Sequence, residues 1–330
     1  MDNLTHTLFG LALARTGLEK TTPRATAALL IGANFPDIDL VTWLSGNITY
    51  LRHHRGLTHS LAGIFCEAWI VAALLYWLDR RHSQGAARAK PVWLFLMALM
   101  GLGSHVLLDY TNSYGIRPFL PFQSRWYASD LVFIIDPWLL SILALGMALP
   151  FLFRLVYQEI GAKSGSYKLS ATLTLLVVMA FWGCKWVSHQ NALEELGQRS
   201  YATGTPLRVG ALPRFLNPFA WYGVVETEKA YHLAFAGWQI LQSDFEVRKL
   251  RTLLKTSERP IVDAAIQGDQ ARIFMDFARY PLFQVTPAPE GYEVISRDLR
   301  FDFATSIRRG FLCRILLDRN LKIVSERFRF

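Results

Sequence analysis

The chain has 330 residues, of which 52% are apolar and only 18% are charged, and its mean hydropathy is +0.21. Soluble domains carry about 25% charged residues and disordered chains are poorer in apolar residues, so the composition excludes an ordinary soluble enzyme and a disordered chain. The charge is also uneven, with 25 charged residues in 1–189 and 36 in 190–330. This division predicts a membrane domain over 1–189 and a water-facing domain over 190–330.

The net charge of +9 does not indicate a nucleic-acid partner, because the excess is spread over both halves without a run of five or more like charges. The three cysteines, Cys66, Cys184 and Cys313, have no CxxC spacing. We therefore expect neither a disulfide framework nor a cysteine-based metal site.

In chain order, the first half contains about six apolar segments, which predict a mainly α, polytopic bundle of transmembrane helices. The first two are short and either cross the membrane or enter it partly, whereas the others are long enough to span. In the segment 130–156 the pair Asp136-Pro137 predicts a break near the start. The remaining segments are 3–15, 24–36, 57–78, 91–110 and 169–188.

The basic residues predict an orientation for this bundle. The connections 15–24, 79–90 and 154–168 hold ten Lys and Arg residues, and the other short connections hold four. Short cytoplasmic connections are enriched in Lys and Arg, so we expect these three in the cytoplasm. With six crossings, residues 190–330 would then be extracytoplasmic.

The second half predicts a small, strand-rich α+β domain. Four runs alternate apolar and polar residues between turn residues, as antiparallel strands do. One stretch, about 269–280, has helical spacing of Ile273, Phe274, Phe277 and Tyr280. We interpret the aromatic residues of the strands as core. The strand-like runs are 221–226, 231–238, 291–296 and 311–317, with the aromatic residues Trp221, Tyr222, Tyr231 and Trp238.

The functional candidates are ionisable residues at the ends of the apolar segments, where such groups are costly in or near a membrane. In a bundle of alternating helices, the starts of odd segments and the ends of even segments share one face. All the candidates occupy such positions, so we expect them to meet at one face, the predicted outer one. They are His6, Asp37, Asp39, His53, His59, His105, Asp109 and Asp130.

Histidine and aspartate bind zinc or a similar divalent ion through nitrogen and oxygen. His105 and Asp109 are four residues apart, on one helix face, and His53 and His59 flank a glycine-containing turn. We expect His6, Asp37, Asp39, His53, His59, His105 and Asp109 to be the metal ligands. Because this set is larger than one tetrahedral site requires, one, two or three ions fit.

These motifs resemble those of the YdjM-type membrane-bound metal-dependent hydrolases of bacteria. The resemblance covers about residues 1–190 and implies a multi-pass protein of the bacterial inner membrane with hydrolase activity, but it implies no particular substrate. It is carried by Thr5-His6-Thr7, Pro36-Asp37-Ile38-Asp39, the run His53-His54-Arg55-Gly56-x-Thr58-His59-Ser60, and His105-x-x-x-Asp109.

A more distant resemblance is to zinc-dependent phospholipase C and the related single-strand nucleases, which hold three zinc ions. Their ordered ligands are similar to His6, Asp37 or Asp39, His59, and the His105–Asp109 pair. Their later HxxxE motif has no counterpart here after Asp109, which leaves one- and two-metal sites equally open.

The sequence thus predicts a membrane-bound metal-dependent hydrolase of a phosphoester or other ester in a lipid or membrane-associated substrate. Metal-activated water would be the nucleophile. Asp39 or Asp130 would act as general base, and Arg55 would hold a phosphate. The alternatives are a metal- or proton-coupled transporter, and a membrane anchor for a receptor-like domain; the latter leaves the candidate ligands unexplained.

Overall fold

The computed structural model describes residues 1–82, 88–159, 167–237, 251–302 and 311–329. The chain folds into two compact units, one of residues 1–39 and 55–187, the other of residues 40–54 and 188–330. The described helices are α1 (Asn3–Arg15), α2 (Ala25–Gly32), α3 (Asn47–His53), α4 (Leu61–His82), α5 (Pro91–Thr111), α6 (Pro137–Glu159), α7 (Tyr167–Gln198), α8 (Arg259–Ala265) and α9 (Asp269–Phe277).

Among the described residues, four segments are long and apolar enough to cross a membrane: Ala25–Ser45, Leu61–Arg81, Pro91–Thr111 and Tyr167–Gln198. The predicted six crossings are therefore not confirmed. The first of these segments joins α2 to a 3-10 helix, Phe35–Ser45. It is therefore longer than the predicted second segment, 24–36. The extracytoplasmic position of residues 190–330 depended on six crossings and stays a prediction.

The predicted break before the fifth apolar segment is confirmed, since α6 begins at Pro137. The Asp136 carboxylate accepts hydrogen bonds from the backbone N–H groups of Trp138 and Leu139, at 3.1 and 3.0 Å. Lys185 of α7 lies 3.4 Å from the same carboxylate, and both side chains are buried. Asp136 therefore caps α6 and neutralises a buried lysine.

The first unit has an apolar core made largely of alanine and leucine from α2, α4 and α5. Small residues let α2 and α5 approach closely. A Cβ atom on Gly32 would lie 2.5 Å from the Ala98 carbonyl oxygen, and one on Gly101 would lie 2.4 Å from the Leu29 carbonyl oxygen. Backbone contact at this distance is possible only without side chains at both positions.

In the second unit, two four-stranded antiparallel sheets account for the strand-like pattern. The predicted strands are present, although Trp238 lies outside the described residues. The strands are β1 (Arg208–Pro213), β2 (Ala220–Glu226), β3 (Ala230–Gly237), β4 (Arg251–Leu254), β5 (Pro281–Ala288), β6 (Gly291–Asp298), β7 (Leu312–Asp318) and β8 (Ile323–Arg329), in the orders β1-β2-β3-β4 and β5-β6-β7-β8.

The central strand β2 is buried on both faces, with Trp221 and Val225 in one core and Tyr222 and Val224 in another. These aromatic residues are therefore core, as expected. Helix α9 ends at Phe277, three residues earlier than predicted, and the chain turns into β5 at Pro281. Phe274 and Phe277 are buried, which agrees with the predicted helical face.

Candidate metal centre

Four buried side chains converge in the first unit: Asp37, His59, His105 and Asp109, called here the histidine–aspartate cluster. One ligand atom from each lies within 4.8 Å of all the others. Asp37 comes from the 3-10 helix that follows α2, and His59 ends the 3-10 turn Leu57–His59 before α4. His105 and Asp109 lie on successive turns of α5, as their spacing predicts.

The two histidines present the same nitrogen to the centre of the cluster. His59 Nε2 lies 3.1 Å from His105 Nε2. Asp109 Oδ2 lies 3.3 Å from His59 Nε2 and 3.5 Å from His105 Nε2. Asp37 Oδ1 lies 3.7 and 3.6 Å from the same two atoms. Two imidazole nitrogens and two carboxylate oxygens form a donor set suited to zinc or a similar divalent cation.

The other ring nitrogen of each histidine is held by the protein. His105 Nδ1 lies 2.8 Å from the Ala33 carbonyl oxygen. His59 Nδ1 lies 3.4 Å from Asp39 Oδ2 and 3.0 Å from the Thr58 hydroxyl. A proton on Nδ1 donates to these acceptors and leaves the Nε2 lone pair directed into the cluster. Metal-binding histidines are commonly oriented by such contacts.

Asp39 thus lies behind His59, as a carboxylate that orients the ring. Its Oδ2 also accepts hydrogen bonds from the Arg55 backbone N–H and the Thr58 hydroxyl, both at 2.9 Å. These bonds fix Asp39 in the turn that leads to His59. The sequence placed Asp39 among the ligands and general bases. Its carboxylate also belongs to a second buried group, with Asp37 and His54, whose ligand atoms lie within 4.8 Å of one another. The sequence gave no signal for the part played by Thr58.

His6 of α1 lies beside the cluster. Its ring stacks on His105 with 3.8 Å between centroids, and its Nε2 lies 3.5 Å from Asp109 Oδ1. The side chain is fully buried, and neither ring nitrogen has a hydrogen-bond partner in the part of the chain that the structure describes. Buried polar atoms without partners are unfavourable. The Met1 ammonium group already donates to Asp109 Oδ1 on this side of the cluster. The fit to a metal therefore rests on the donor set of Asp37, His59, His105 and Asp109 and on the unpartnered nitrogens of His6.

Arg55 is buried and directed at the cluster from the opposite side of Asp109. One terminal nitrogen lies 3.0 Å from Asp109 Oδ1, and the other donates to Asn112 Oδ1 at 3.0 Å. The guanidinium also lies over the Tyr114 ring, 4.8 Å from its centroid. Both terminal nitrogens of Arg55 thus contact protein groups, and the expectation that Arg55 holds a substrate phosphate stays a prediction.

The carboxylates make the cluster strongly attractive to a cation. Burial alone would lower the pKa of His59, but its contacts with Asp109, Asp37 and Asp39 raise that pKa to about 10. A divalent cation in the same place gains from the same carboxylates.

Not every predicted residue joins the cluster. His53 is exposed at the end of α3. Asp130 is buried, has a left-handed backbone (φ 55°) and is absent from the described groups of converging ligand atoms. Glu67 of α4 is buried eight residues after His59, and no described residue forms a hydrogen bond with its Oε2. Of the seven predicted ligands, the structure brings together or places in direct contact six: His6, Asp37, Asp39, His59, His105 and Asp109.

Comparisons with known proteins agree with the membrane character of this unit. The chain is similar to the protein YfhP of Bacillus subtilis (strain 168), which is described only as uncharacterized, with 24% identity over 311 residues. The match covers 91% of this chain and 87% of YfhP. No solved structure matches the chain significantly. Residues 1–192, which contain the whole histidine–aspartate cluster, match the model of the YdjM inner membrane proteins, and the chain belongs to this family.

Proposed function

We propose that the chain is a membrane-bound metal-dependent hydrolase acting on a phosphoester or other ester of a lipid or membrane-associated substrate. The observation that carries the proposal is the convergence of four buried ligand atoms within 4.8 Å. An accidental group of this kind would be unfavourable, because buried carboxylates and imidazoles require partners.

When bound, a divalent ion polarises a phosphoryl or acyl oxygen and lowers the pKa of a bound water toward about 7. The chain's own residues hold and orient the ligands. Asp39 fixes the ring of His59, and Arg55 fixes the carboxylate of Asp109. In this proposal Asp39 and Arg55 are positioning residues.

Exposed apolar side chains next to the cluster support a lipid substrate. Ile38 follows Asp37 directly and is 56% exposed, and Leu57 lies two residues before His59 and is 58% exposed. In an inner membrane protein, such side chains contact lipid. A lipid ester at the same depth as these side chains lies close to the ligands.

A second apolar element is tied to the turn that carries His59. The segment 116–127 is closed by a bridge between Ile116 and Tyr127, and its Phe122 is 90% exposed. The Pro118 carbonyl accepts a hydrogen bond from the Leu61 N–H at 2.9 Å. An aromatic side chain in this position suits the membrane interface, which again supports a lipid substrate for the metal-binding turn.

The test is the metal content of the purified full-length protein, measured for wild type and for the His59→Ala and His105→Ala variants. We expect bound metal in the wild type and its loss in both variants. His53→Ala is the matched control, because His53 is exposed and lies outside the cluster. Hydrolysis of a panel of phospholipids and lipid-linked phosphoesters is followed in the same samples.

Unchanged metal content in both cluster variants would contradict the site. Metal binding without turnover of any substrate would favour the second candidate, a metal- or proton-coupled transporter. Glu67 is the observation that favours it, since a buried carboxylate within a candidate span is typical of an ion path, and its Oε2 has no hydrogen-bond partner among the described residues. Metal flux into liposomes that is lost in Glu67→Gln would then support transport.

A further inference from the structure

A cavity of about 740 Å³ opens at the other ends of the helices that carry the metal ligands. It lies between the turn after α1, the start of α2 and the residues before α5. Four basic side chains line it, Lys20, Arg24, Arg88 and Lys90, and Ala27 and Leu30 form an apolar wall. Since His6 lies at the start of α1 and Asp109 near the end of α5, this cavity is separate from the histidine–aspartate cluster.

Most of the positive charge in the cavity is uncompensated. Arg24 is paired with Asp79 at 3.1 Å, and Glu19, the acid that lines the cavity, is paired with Arg15 at 3.1 Å. Among the described residues, no acidic group pairs with Lys20, Arg88 or Lys90. Three cations that share one cavity without a counter-charge attract an anion.

Buried contacts hold the Arg24 side chain and the backbone that carries Lys90 in place. Asp79, which is 2% exposed, accepts hydrogen bonds from Arg24 Nε at 3.1 Å and from the Ala89 N–H at 2.9 Å. The buried Thr22 hydroxyl accepts a hydrogen bond from the Lys90 N–H at 2.8 Å. The two chain segments that supply the basic residues are therefore fixed to one another, so the cavity is built before any ligand arrives.

The cavity borders the ends of two candidate membrane spans, where lipid headgroups would lie. Lys20 and Arg24 precede the candidate span Ala25–Ser45, and Lys90 directly precedes the span Pro91–Thr111. A phospholipid presents a phosphate at this depth and an apolar chain just below it. Basic pockets between membrane helices bind anionic lipid headgroups in this way.

We propose that this cavity binds the phosphate-bearing headgroup of an anionic phospholipid, with the basic side chains on the phosphate and Ala27 and Leu30 against the start of an acyl chain. The ligand chemistry is a phosphate anion, which has two sources, a membrane lipid and free phosphate. The apolar wall favours the lipid. The site is independent of the proposed hydrolase activity, because none of its lining residues belongs to the cluster.

The test is lipid binding by the full-length protein in detergent, with native mass spectrometry to count bound phosphatidylglycerol and phosphatidylcholine. The variant is Arg88→Gln/Lys90→Gln. The matched control is Arg80→Gln/Arg81→Gln, which removes the same charge from the end of α4, also within residues 79–90. Arg80 and Arg81 stack on Tyr76 and Trp77 and do not line the cavity.

We expect the wild type and the control to bind phosphatidylglycerol in preference to phosphatidylcholine. The cavity variant should bind phosphatidylglycerol about twentyfold more weakly, since each basic residue near a membrane surface contributes roughly a fivefold factor. Equal weakening in both variants would overturn the site, because it would indicate a general surface-charge effect.

Inorganic phosphate provides the second arm of the experiment. If millimolar phosphate displaces phosphatidylglycerol completely from the wild type, the lipid assignment is wrong and the cavity is a site for free phosphate. Retained lipid under these conditions supports the proposal. Thermal unfolding is measured for each variant to confirm folding of the first unit, so absence of metal binding or hydrolysis in the wild type leaves the lipid test intact.

Discussion

The two cluster histidines differ in what orients them, and this difference leads to a prediction for a single residue. His105 is held by a backbone carbonyl, whereas His59 is held by the Asp39 carboxylate. Asp39→Asn removes the charge but keeps the size of the side chain. We expect metal affinity to fall by about 10- to 100-fold, as is usual for groups that orient a metal ligand. Competition with a chromophoric chelator measures this change.

The control for Asp39→Asn is Asp130→Asn, which makes the same chemical change at a second buried aspartate. Asp130 has a left-handed backbone, and asparagine tolerates that conformation well. We expect wild-type metal affinity in this variant, because Asp130 is absent from the described groups of converging ligand atoms. Equal affinities of the two variants would show that the carboxylate behind His59 does not orient it.

At the level of elements, the contact between α2 and α5 determines where His105 points. Gly101 lies one turn before His105, and a Cβ atom there would lie 2.4 Å from the Leu29 carbonyl oxygen and 3.0 Å from the Ala33 nitrogen. Gly101→Ala must therefore push α2 away from α5, and the Ala33 carbonyl moves with α2. We expect a loss of about 1–3 kcal/mol of stability and weaker metal binding, measured by thermal unfolding and chelator competition.

Gly103→Ala is the matched control for the helix–helix contact. It introduces the same methyl group on the same helix, two residues further on, where nothing lies within 4 Å of the new atom. Because alanine favours a helix more than glycine does, we expect unchanged or slightly higher stability and unchanged metal affinity. If both alanine variants behave alike, close packing of α2 on α5 does not position His105.

At the level of the whole molecule, the apolar periodicity and the residue types of the sequence predicted helices and candidate ligands, but they did not predict the contacts between side chains. Apolar length predicted α5 to within one residue, whereas α4 is shifted by four residues and α7 continues to Gln198, ten residues beyond the predicted end. Ligand chemistry and helix alternation predicted that the candidate ligands lie together, although the six crossings assumed there are not confirmed. The predicted second segment, 24–36, ends at Pro36, whereas the candidate span Ala25–Ser45 continues through the 3-10 helix Phe35–Ser45.

The remaining differences arise from contacts between residues that are distant in sequence, which local sequence patterns do not show. The grouping of residues 40–54 with the second unit depends on residues that are distant in sequence. Likewise, Arg55 suggested a phosphate ligand by residue type, but its partners Asp109 and Asn112 lie more than fifty residues away. The alternating pattern of a half-exposed strand also fails for β2, since both of its faces are buried.

The division into two units leads to a prediction for the metal-loaded and metal-free protein. A ligand stabilises the part of the chain that binds it, by about 2.7 kcal/mol at a hundred times its dissociation constant. All the cluster residues belong to the first unit. Zinc should therefore slow hydrogen exchange in peptides covering 55–64 and 104–112, whereas peptides covering β2 and β3 should exchange at the same rate with and without zinc. His59→Ala should abolish the protection, since it removes one of the four candidate metal ligands of the cluster. Protection that appears equally in β2 and β3, or that persists in His59→Ala, would place the metal outside the histidine–aspartate cluster.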